Sequence, residues 1–543
     1  MNKPWIKTYG ETVPHEIDAD AYRSVVALFE KAVAGYGDLP AFECFGKTMT
    51  YREIDAAATA VAAWLQTRLG VRRGDRIALM CPNVFAFPIA MLGIVRAGAA
   101  QVNVNPLYTP RELAHQLNDA GAETIVIFGG STPVLAEILD QTPIKTVITV
   151  DLGDGIGLPI PSPAIDPRLA APVRFADVLA EGADLAFEPV DLAGDDILFF
   201  QYTGGTTGLS KGAVLTHRNL VANAEQFKAI LPEAGEPGRE VVVLALPLYH
   251  IFGLMMMLAY SALGAKVVLI PNPRDMAGFI DAIKDARFSV IPGVNTLFQG
   301  LTAHPRFGEV DLSNYKVAIG GGAAVIEATS ARWKELTGHH IKEGYGLSET
   351  SPILCLNPMS VTAFTGTCGL PLPSTEIKLI DDDGNEVAEG EAGEICARGP
   401  QVMRGYWNND EANAAAFTPD GFFRTGDVGV LTEGGFVKIV DRKKDMILVS
   451  GFNVYPNEVE ATVTACPGIT ECACIGVPDA RSGEAVRVYA VKAPGAEVDA
   501  DQVIAHCRKQ LAGYKVPKQI VFVEALPKSN VGKILRRELR TLA

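Results

Sequence analysis

A loop rich in glycine and hydroxyl residues follows a short apolar run. The segment YTGGTTGLSKG spans residues 202–212 and places Lys211 among glycines, threonines and a serine. Glycines let backbone amides face an anion, hydroxyl groups add donors, and the lysine adds positive charge. The spacing is not that of a Walker A loop, because Ser210 stands where that motif has lysine and Gly212 follows Lys211 in place of Ser or Thr. The segment predicts a loop that binds phosphate groups.

The residues around this loop alternate between helix-like and strand-like patterns. Segments of helical length are separated by short runs rich in Val and Ile. Such alternation predicts a parallel sheet covered by helices, and therefore an α/β fold. We interpret residues 152–174, which are rich in Gly, Pro and Asp, as a surface loop. The predicted helices are 23–37, 50–70, 85–99, 111–123 and 279–288, and the predicted strands are 76–83, 100–106, 124–130 and 289–294.

After about residue 360 the pattern changes to strands joined by tight turns. Residues 376–387 carry an Asp-Gly pair between strand-like runs, and 393–407 continue this β character. The charged run 441–445 interrupts the pattern, and the residues beyond it are enough for a small α/β domain. We therefore predict a large N-terminal domain of α/β layers with an added β subdomain over residues 1–442, and a small mobile C-terminal α/β domain over 443–543.

The composition is that of an acidic globular protein. The chain has 543 residues, 48% of them hydrophobic, and a net charge of −15 at pH 7. A chain this acidic has no overall attraction for polyanions, which argues against nucleic acid as its main partner. Its nine scattered cysteines lack the usual spacing of zinc or redox sites and predict buried, reduced thiols.

The sequence predicts neither a secretory signal nor a membrane span. The first residues contain no apolar core of the kind that a secretory signal requires. The longest apolar stretch, 251–265, ends at Lys266 and is shorter than the roughly 20 residues needed to cross a bilayer. We interpret this stretch as a buried helix that runs into a strand, and we expect a cytoplasmic protein.

Eight motifs occur in a fixed order between residues 202 and 539. Together they resemble the signature motifs of the adenylate-forming superfamily, which contains acyl-CoA synthetases, firefly-type luciferases and peptide-synthetase adenylation domains. The resemblance implies that superfamily's fold, with a large N-terminal domain and a small mobile C-terminal domain. The motifs are YTGGTTGLSKG (202–212), PLYHIFG (247–253), GGGAA (320–324), EGYGLSET (343–350), RTGD (424–427), DRKKDMI (441–447), SGFNVYPNEVE (450–460) and PKSNVGKILRREL (527–539).

Within that superfamily the sequence is most similar to the bacterial long-chain fatty acid–CoA ligases. Such enzymes use ATP and Mg²⁺ to join a fatty acid's carboxylate to AMP, release pyrophosphate, and then exchange AMP for the thiol of CoA. The resemblance therefore implies ATP, CoA and a fatty acid as substrates and Mg²⁺ as cofactor. A medium-chain or aryl acid–CoA ligase stays open as an alternative, and so does a non-catalytic nucleotide- or lipid-binding relative. The segments that carry this narrower resemblance are 102–122, 272–275, 292–298, 440–460 and 526–539.

The resemblance assigns roles to residues around the phosphates and the nucleotide. Glu349 matches the carboxylate that coordinates magnesium, and a hard oxygen ligand suits this hard cation. Asp427 matches the residue that binds the ribose hydroxyls, and Arg442 matches an arginine that contacts the nucleotide. The other implied ATP-binding residues are Thr203, Gly204, Gly205, Thr206, Thr207, Gly208, Ser210 and Lys211 in the loop, Thr206 being also catalytic, and Gly320, Gly321, Gly322, Ala323, Tyr345, Gly346 and Ser348 around the adenine.

Further roles concern the acyl group, CoA and the exchange between the two half-reactions. Lys533 matches the catalytic lysine that bridges the acyl carboxylate and the phosphate. Lys444 matches a hinge position, and rotation about it would bring Ser450, Gly451 and Phe452 toward CoA. His250 stands where relatives place an aromatic residue or histidine beside the acyl carboxylate, and a histidine satisfied within the core is the alternative. The implied acyl pocket contains Tyr249, Ile251, Val294 and Leu297, with Gly322 beside it.

The remaining expectations concern partners. Long-chain acids partition into bilayers, so we expect transient contact with the inner face of a membrane. No basic amphipathic segment supports a stronger association. The sequence leaves a homodimer open.

Overall fold

The chain forms two compact units. The larger unit comprises Lys3–Glu376 and Arg398–Phe423, and the smaller comprises Ile377–Ala397 and the residues from Arg424 onward. The smaller unit therefore includes strands that precede the predicted domain boundary between residues 442 and 443, and that boundary stays a prediction. The computed structural model describes residues 3–203, 210–450, 452–479, 481–529 and 534–542.

The helices of the described residues follow the predicted alternation closely. Their bounds are α1 (Trp5–Thr8), α2 (Val25–Tyr36), α3 (Tyr51–Leu69), α4 (Ala86–Arg96), α5 (Pro110–Ala120), α6 (Thr132–Ala136), α7 (Phe175–Gly182), α8 (His217–Ile230), α9 (Ile251–Ser261), α10 (Met276–Ile283), α11 (Asn295–Ala303), α12 (Glu327–Thr337), α13 (Asp410–Ala416), α14 (Pro456–Thr464), α15 (Ala500–Arg508) and α16 (Arg536–Thr541).

The strands of the described residues are mostly short. Up to residue 371 they are β1 (Pro40–Cys44), β2 (Lys47–Thr50), β3 (Arg76–Met80), β4 (Ala100–Asn103), β5 (Thr124–Phe128), β6 (Thr146–Val150), β7 (Val173–Arg174), β8 (Ile197–Thr203), β9 (Lys211–Thr216), β10 (Val241–Leu244), β11 (Lys266–Leu269), β12 (Val290–Gly293), β13 (Val317–Gly320), β14 (Lys342–Gly346), β15 (Ile353–Leu356) and β16 (Leu370–Pro371). The rest are β17 (Glu376–Ile380), β18 (Gly393–Arg398), β19 (Gly405–Tyr406), β20 (Phe423–Leu431), β21 (Val437–Arg442), β22 (Ile447–Val449), β23 (Phe452–Val454), β24 (Ile469–Asp479), β25 (Gly483–Lys492) and β26 (Gln519–Phe522).

Two mixed sheets build the larger unit. Sheet A has the order β16-β15-β14-β13-β12-β10-β11-β1-β2, and sheet B has the order β19-β9-β8-β4-β3-β5-β6-β7. The central strands of both sheets run parallel, as the helix–strand alternation predicts, whereas β9 and β19 add an antiparallel edge to sheet B. This combination of parallel sheets and covering helices confirms the predicted α/β class.

Local sequence signals set several helix ends. Helix α3 begins with a capping box between Thr50 and Glu53, and α5 begins with another between Thr109 and Glu112. In each box the side-chain oxygens satisfy backbone amides that the first helical turn leaves unpaired. Both helices therefore start where the sequence pattern predicts them to start.

The apolar stretch over residues 251–265 forms the buried helix α9 and leads into strand β11. Every side chain of α9 is buried within the larger unit, as the prediction of a core helix requires. No helix in the described parts of the chain combines the length and apolar character that crossing a membrane would take. All nine cysteines are buried and none of them forms a disulfide, which agrees with the expectation of buried, reduced thiols.

One predicted loop contains a short strand. Val173 pairs with Ile148 of β6 at the edge of sheet B, so residues 152–174 are not loop throughout. The edge strand β6 offers unpaired backbone groups, and a two-residue strand is enough to cover part of that edge. Because the segment is rich in Gly and Pro, its composition predicts a loop and gives no indication of this strand pairing.

The smaller unit contains a sheet of order β17-β18-β20-β21 and a second sheet of order β23-β22-β25-β24, with β26 beside β25. A nearly buried ion pair ties its last helix to α14, because Arg536 Nη2 lies 2.8 Å from Glu460 Oε2. Arg536 also donates to Asn457, which lies at the start of α14. These contacts fix the chain that follows the PKSNVGK segment.

Replacing Trp333 with alanine tests the core that supports one edge of sheet A. Trp333 is fully buried, packs on Phe298 with ring centroids 5.0 Å apart, and donates a 2.8 Å hydrogen bond to Tyr315. Trp333→Ala is expected to lower the free energy of unfolding by about 3–5 kcal/mol, because the cavity cannot close fully. Urea unfolding followed by circular dichroism measures this effect. The control is Leu107→Ala, whose side chain is 59% exposed and which is expected to change stability by less than about 0.5 kcal/mol. Equal losses for both variants would contradict the prediction.

Candidate active site

The phosphate loop predicted from the sequence connects two paired strands of sheet B. Strand β8 pairs antiparallel with β9, and the last pair before the loop is Thr203 with Lys211. Because the interior of both strands is buried, their backbone groups must be paired, and this pairing fixes the two ends of the loop. The predicted loop residues Gly204, Gly205, Thr206, Thr207 and Gly208 lie outside the described residues.

Glu349 lies directly beside the end of this loop. It belongs to a short 3₁₀ helix, Ser348–Thr350, and only 8% of the residue is exposed. Thr203 Oγ1 lies 3.3 Å from Glu349 Oε1, and Tyr406 donates its hydroxyl to the same oxygen at 2.8 Å. The structure therefore brings Glu349 close to Thr203 and Lys211, although it follows them by about 140 residues in the sequence.

The donor set around Glu349 fits a hard divalent cation. Both hydrogen bonds that described residues donate to the carboxylate end on Oε1, so Oε2 is the oxygen through which Glu349 would bind a cation. Mg²⁺ commonly uses one or two carboxylates together with phosphate oxygens and water. A single carboxylate at the edge of a phosphate loop therefore fits such a site.

Tyr406 is a site residue that sequence reasoning missed. Its hydroxyl contacts Glu349, and Lys211 Nζ lies over its ring at 5.1 Å from the centroid. Burial, together with the negative charge and hydrogen bond of Glu349, raises the pKa of Tyr406 above its usual value, so the phenol stays protonated. The segment GEICARGPQVMRGYW had been interpreted only as β structure. The one signal in it was an aromatic pair directly after Gly405.

The glycine-rich segment after β13 lies beside the EGYG segment of β14. Gly320 pairs with Glu343 across the two parallel strands, which brings the residues predicted to surround adenine to one edge of sheet A. A side chain at Gly346 would overlap the carbonyl oxygen of Pro352, so only glycine fits there. Gly322 has a φ of +76°, a conformation that favours glycine. Tyr345 and Ser348 are half-buried on either side of Gly346.

Glu343 is a second residue that the sequence analysis had not singled out. Its Oε1 accepts a hydrogen bond from the backbone amide of Val325 at 3.2 Å, just beyond Ala323. Burial raises the pKa of Glu343 to about 7. Glu343 thus helps to hold the end of the glycine-rich segment. The EGYG motif indicates a functional segment, but the sequence analysis assigned its function to Tyr345 and Gly346 and not to Glu343.

The segment predicted to face the acyl group is held by buried amides. Asn83 donates to the carbonyl of Leu246 and accepts from the amide of Leu248, both at 2.8 Å. Gln201 of β8 donates to the carbonyl of Tyr249 at 3.3 Å. These bonds fix the turn that leads into His250.

His250 caps helix α9. Its Nδ1 accepts a hydrogen bond from the amide of Phe252 at 3.3 Å, and burial lowers its pKa to about 4. The imidazole is therefore neutral near pH 7. This cap is a structural role that the sequence analysis had allowed as the alternative, and a role beside the acyl carboxylate stays a prediction.

The other predicted acyl-pocket residues occupy different depths of the larger unit. Ile251 is fully buried at the start of α9, and Leu297 on α11 is 7% exposed. Val294 is half-buried and lies beside Gly322, since its Cγ1 would be 3.6 Å from a Cβ placed there. Val294 thus adjoins the glycine-rich segment predicted to bind adenine.

The smaller unit holds the remaining predicted residues that the structure describes. Asp427 and Arg442 pair across β20 and β21, with Arg442 Nε 3.6 Å from Asp427 Oδ1. Lys444 is exposed two residues beyond Arg442. Ser450 is exposed at the β22–β23 turn, and Phe452 is 57% exposed. Gly451 and Lys533 lie outside the described residues.

Comparisons with known proteins identify relatives along nearly the whole chain. The chain matches the AMP-binding enzyme family over residues 29–407 and the AMP-binding enzyme C-terminal domain over residues 458–533. It is 48% identical to the long-chain-fatty-acid–CoA ligase of Salmonella typhimurium strain LT2, over 99% of this chain and 98% of that protein. The enzyme of the same name from Escherichia coli O157:H7 is 47% identical with the same coverage. Among solved structures, ATP-bound MatB from Rhodopseudomonas palustris has a TM-score of 0.84 and 32% identity, over 95% of this chain and 98% of that one.

Replacing His250 with asparagine tests its burial through the pH dependence of stability. The pKa of His250 falls from 6.5 to about 4 on folding. At pH values between these two, the unfolded chain therefore binds more protons at His250 than the folded chain does. The His250 contribution is therefore complete above pH 6.5 and is lost as the pH falls toward 4, by up to about 1.4 kcal/mol per pH unit.

His250→Asn keeps a capping acceptor but removes the titrating group. Its free energy of unfolding, measured by urea titration from pH 7 to 4.5, is expected to fall less steeply than that of the wild type. His304→Asn is the matched control, since half-buried His304 caps Pro305–Glu309 with a hydrogen bond of the same length, 3.3 Å. Parallel pH profiles for wild type and His250→Asn would refute the prediction.

Proposed function

Because this chain belongs to the AMP-binding enzyme family, we propose that it is an AMP-forming ligase that joins a long-chain fatty acid to CoA. ATP, the acid and CoA are converted to acyl-CoA, AMP and pyrophosphate through an acyl-adenylate. The observation that supports this proposal is that Thr203, Lys211 and Glu349 lie close together where β8 and β9 pair at the two ends of the phosphate loop. The fatty acid is supported by 48% identity to a long-chain-fatty-acid–CoA ligase over nearly the whole chain.

The first half-reaction joins the acid to AMP. An oxygen of the acid's carboxylate attacks the α-phosphorus of ATP, and the bond to the β-phosphate oxygen breaks with its electron pair leaving on pyrophosphate. Attack of an anion on a triphosphate needs positive charge and hydrogen-bond donors around the phosphates. Lys211 and the loop hydroxyls supply them, and Glu349 would hold Mg²⁺, which neutralises developing charge on the phosphate oxygens.

We assign the adenine and the ribose of the nucleotide to separate groups of residues. We assign the adenine to the glycine-rich segment Gly320–Ala323 and to Tyr345, because small residues beside an aromatic ring leave room for a flat base. We assign the ribose hydroxyls to Asp427, whose carboxylate is nearly buried and lies close to Arg442. A carboxylate that accepts two hydroxyl hydrogen bonds explains an acidic residue at that position.

The second half-reaction transfers the acyl group to CoA. The thiol sulfur attacks the acyl carbonyl, AMP leaves with the electron pair of the broken bond, and the thiol proton passes to solvent or a base. We assign Lys533 to the first half-reaction only, where it bridges carboxylate and phosphate. Rotation at Lys444 then replaces it with the turn that contains Ser450 and Phe452. In this proposal residues 443–543 form the mobile C-terminal domain.

The acyl group would occupy a pocket formed by Tyr249, Ile251, Val294 and Leu297. Each buried methylene of an alkyl chain contributes roughly 0.8 kcal/mol, so an apolar pocket favours long acids. A medium-chain or aryl acid is the alternative substrate. The enzyme would act in the cytoplasm, contact the membrane that supplies its acid only transiently, and could form a homodimer.

The substrate range is tested by pyrophosphate release with ATP and Mg²⁺ across saturated acids from acetate to stearate, with and without CoA. We expect CoA-dependent release that is highest at about twelve or more carbons, because each added methylene strengthens binding. A maximum at shorter acids, or faster release when benzoate is added to the panel, would keep the chemistry and change the substrate. Turnover that is indifferent to CoA would contradict the proposed acceptor, and absence of turnover with every acid would favour a non-catalytic binding protein.

The role of Lys533 is tested by measuring the two half-reactions separately. Lys533→Ala is expected to lose acyl-AMP formation by 100-fold or more, on the order expected for a lost transition-state contact, and to keep thioester formation from supplied acyl-AMP. Lys528→Ala is the matched control, because that lysine lies five residues earlier and pairs with Glu471 at 2.6 Å. Equal loss of both half-reactions in Lys533→Ala would contradict the assignment.

A further inference from the structure

Tyr406 joins the two charged groups at the end of the phosphate loop. Its hydroxyl donates to Glu349 Oε1 at 2.8 Å, and the ammonium of Lys211 lies 5.1 Å from the centre of its ring. A carboxylate can only accept, so the phenol is the donor in the first contact. One side chain thus orients an anion through its hydroxyl and attracts a cation through its ring.

The backbone of Tyr406 is held from two sides. It pairs with Ala213 as strand β19 extends the β8–β9 ladder. The side chain of Asn413 accepts from the Tyr406 amide at 2.6 Å and donates to its carbonyl at 2.9 Å. Both backbone polar groups of Tyr406 are therefore bound by one amide side chain on α13. Such double support is typical of a residue whose position must not vary.

The next residue reinforces the same arrangement. Trp407 donates its backbone amide to the carbonyl of Gly212 at 2.8 Å and its indole NH to the carbonyl of Asp119 at 3.1 Å. Its ring also packs edge-on against Phe200 of β8, with centroids 5.0 Å apart. Trp407 therefore holds strand β19 against sheet B, and the side chain of the neighbouring Tyr406 contacts Glu349.

Two hydroxyl groups of the described residues converge on one oxygen of Glu349, and that of Tyr406 lies 2.8 Å from it. The hydrogen bond occupies Oε1, so Oε2 is the oxygen through which Glu349 would bind a cation. Thr203 Oγ1, 3.3 Å from Oε1, supports the same orientation.

We propose that Tyr406 is a positioning residue for ATP and its cation: its hydroxyl orients the Glu349 carboxylate toward the metal, and its ring holds Lys211 at the phosphates. This inference rests on the proposed roles of Glu349 and Lys211 in binding metal and phosphate. It assigns separate tasks to the hydroxyl and to the ring, and two substitutions separate them.

Tyr406→Phe removes only the hydroxyl, and Tyr406→Leu removes the hydroxyl and the ring. The matched control is Tyr202→Phe, because Tyr202 is a nearby residue of β8 whose hydroxyl donates to Asp119 at 2.6 Å. The readouts are Mn²⁺ binding in the presence of ATP, followed by electron paramagnetic resonance, and binding of a fluorescent ATP analogue in EDTA. Neither readout depends on turnover, and the thermal midpoint of each variant reports its folding.

We expect Tyr406→Phe to weaken Mn²⁺ binding by about 10- to 100-fold, as loss of a group that orients a metal ligand commonly does, and to leave metal-free ATP binding unchanged. Tyr406→Leu is expected to weaken Mn²⁺ binding similarly and to weaken metal-free ATP binding as well, because Lys211 loses its ring. Tyr202→Phe is expected to change neither affinity.

Mn²⁺ affinity that is unchanged in Tyr406→Phe would overturn the inference, and so would an equal loss in Tyr202→Phe. Glu349→Gln distinguishes this failure from that of the proposed function. If Glu349→Gln weakens Mn²⁺ binding and Tyr406→Phe does not, only the inference about Tyr406 fails. If Glu349→Gln leaves Mn²⁺ binding unchanged, the proposed metal ligand fails and the inference falls with it.

Discussion

The register of the β8–β9 pair is the constraint on which the phosphate site depends. Thr203 and Lys211 are opposite each other at the last pair before the loop, and the same ladder continues to β19, where Tyr406 pairs with Ala213. A slip of one residue would turn each of these side chains to the other face of the sheet. Because the strand interiors are buried, such a slip would also expose apolar side chains or leave backbone groups unpaired. One hairpin therefore positions a hydroxyl, a cation and an aromatic ring together.

The placement of Glu349 explains why this site needs both donors and a cation. A carboxylate beside a phosphate loop repels a triphosphate, and a chain with a net charge of −15 offers no general attraction to compensate. Tyr406 and Thr203 satisfy one oxygen of the carboxylate, which reduces the cost of its burial. A metal held by Glu349, as proposed, would offset the remaining repulsion. Lys211 adds positive charge on the loop side, so the local field favours ATP although the protein as a whole is acidic.

The sequence predicted the α/β class and the positions of α2, α3, α4, α5, α9 and α10, because these depend on periodicity. The roles of Thr203, Lys211 and Glu349 around the phosphates were implied by the resemblance of their motifs to a known superfamily. The sequence did not predict Tyr406, whose role arises only when β19 joins β9 some 190 residues away in the chain. Glu343 was missed for a related reason, since its partner Val325 is brought near by pairing of β13 with β14. Contacts across sheets leave no periodic trace in either partner. The domain division also depends on such contacts, because 377–397 join the smaller unit through strand pairing and through ion pairs of Glu394 with Arg424 and Lys443.

The proposed acyl side of the site is held by neutral groups, in contrast to the phosphate side. Gln201 binds the carbonyl of Tyr249 through an amide, and burial keeps His250 uncharged near pH 7. Thr203 follows two residues after Gln201 on β8, so both side chains point to the same face about 7 Å apart. The environment therefore changes from neutral amides to charged Glu349 within two residues of one strand. In the proposed mechanism a fatty acid's carboxylate at this point would lie between these neutral amides and the charged end of the phosphate loop, where Lys533 is assigned to bridge it to the phosphate.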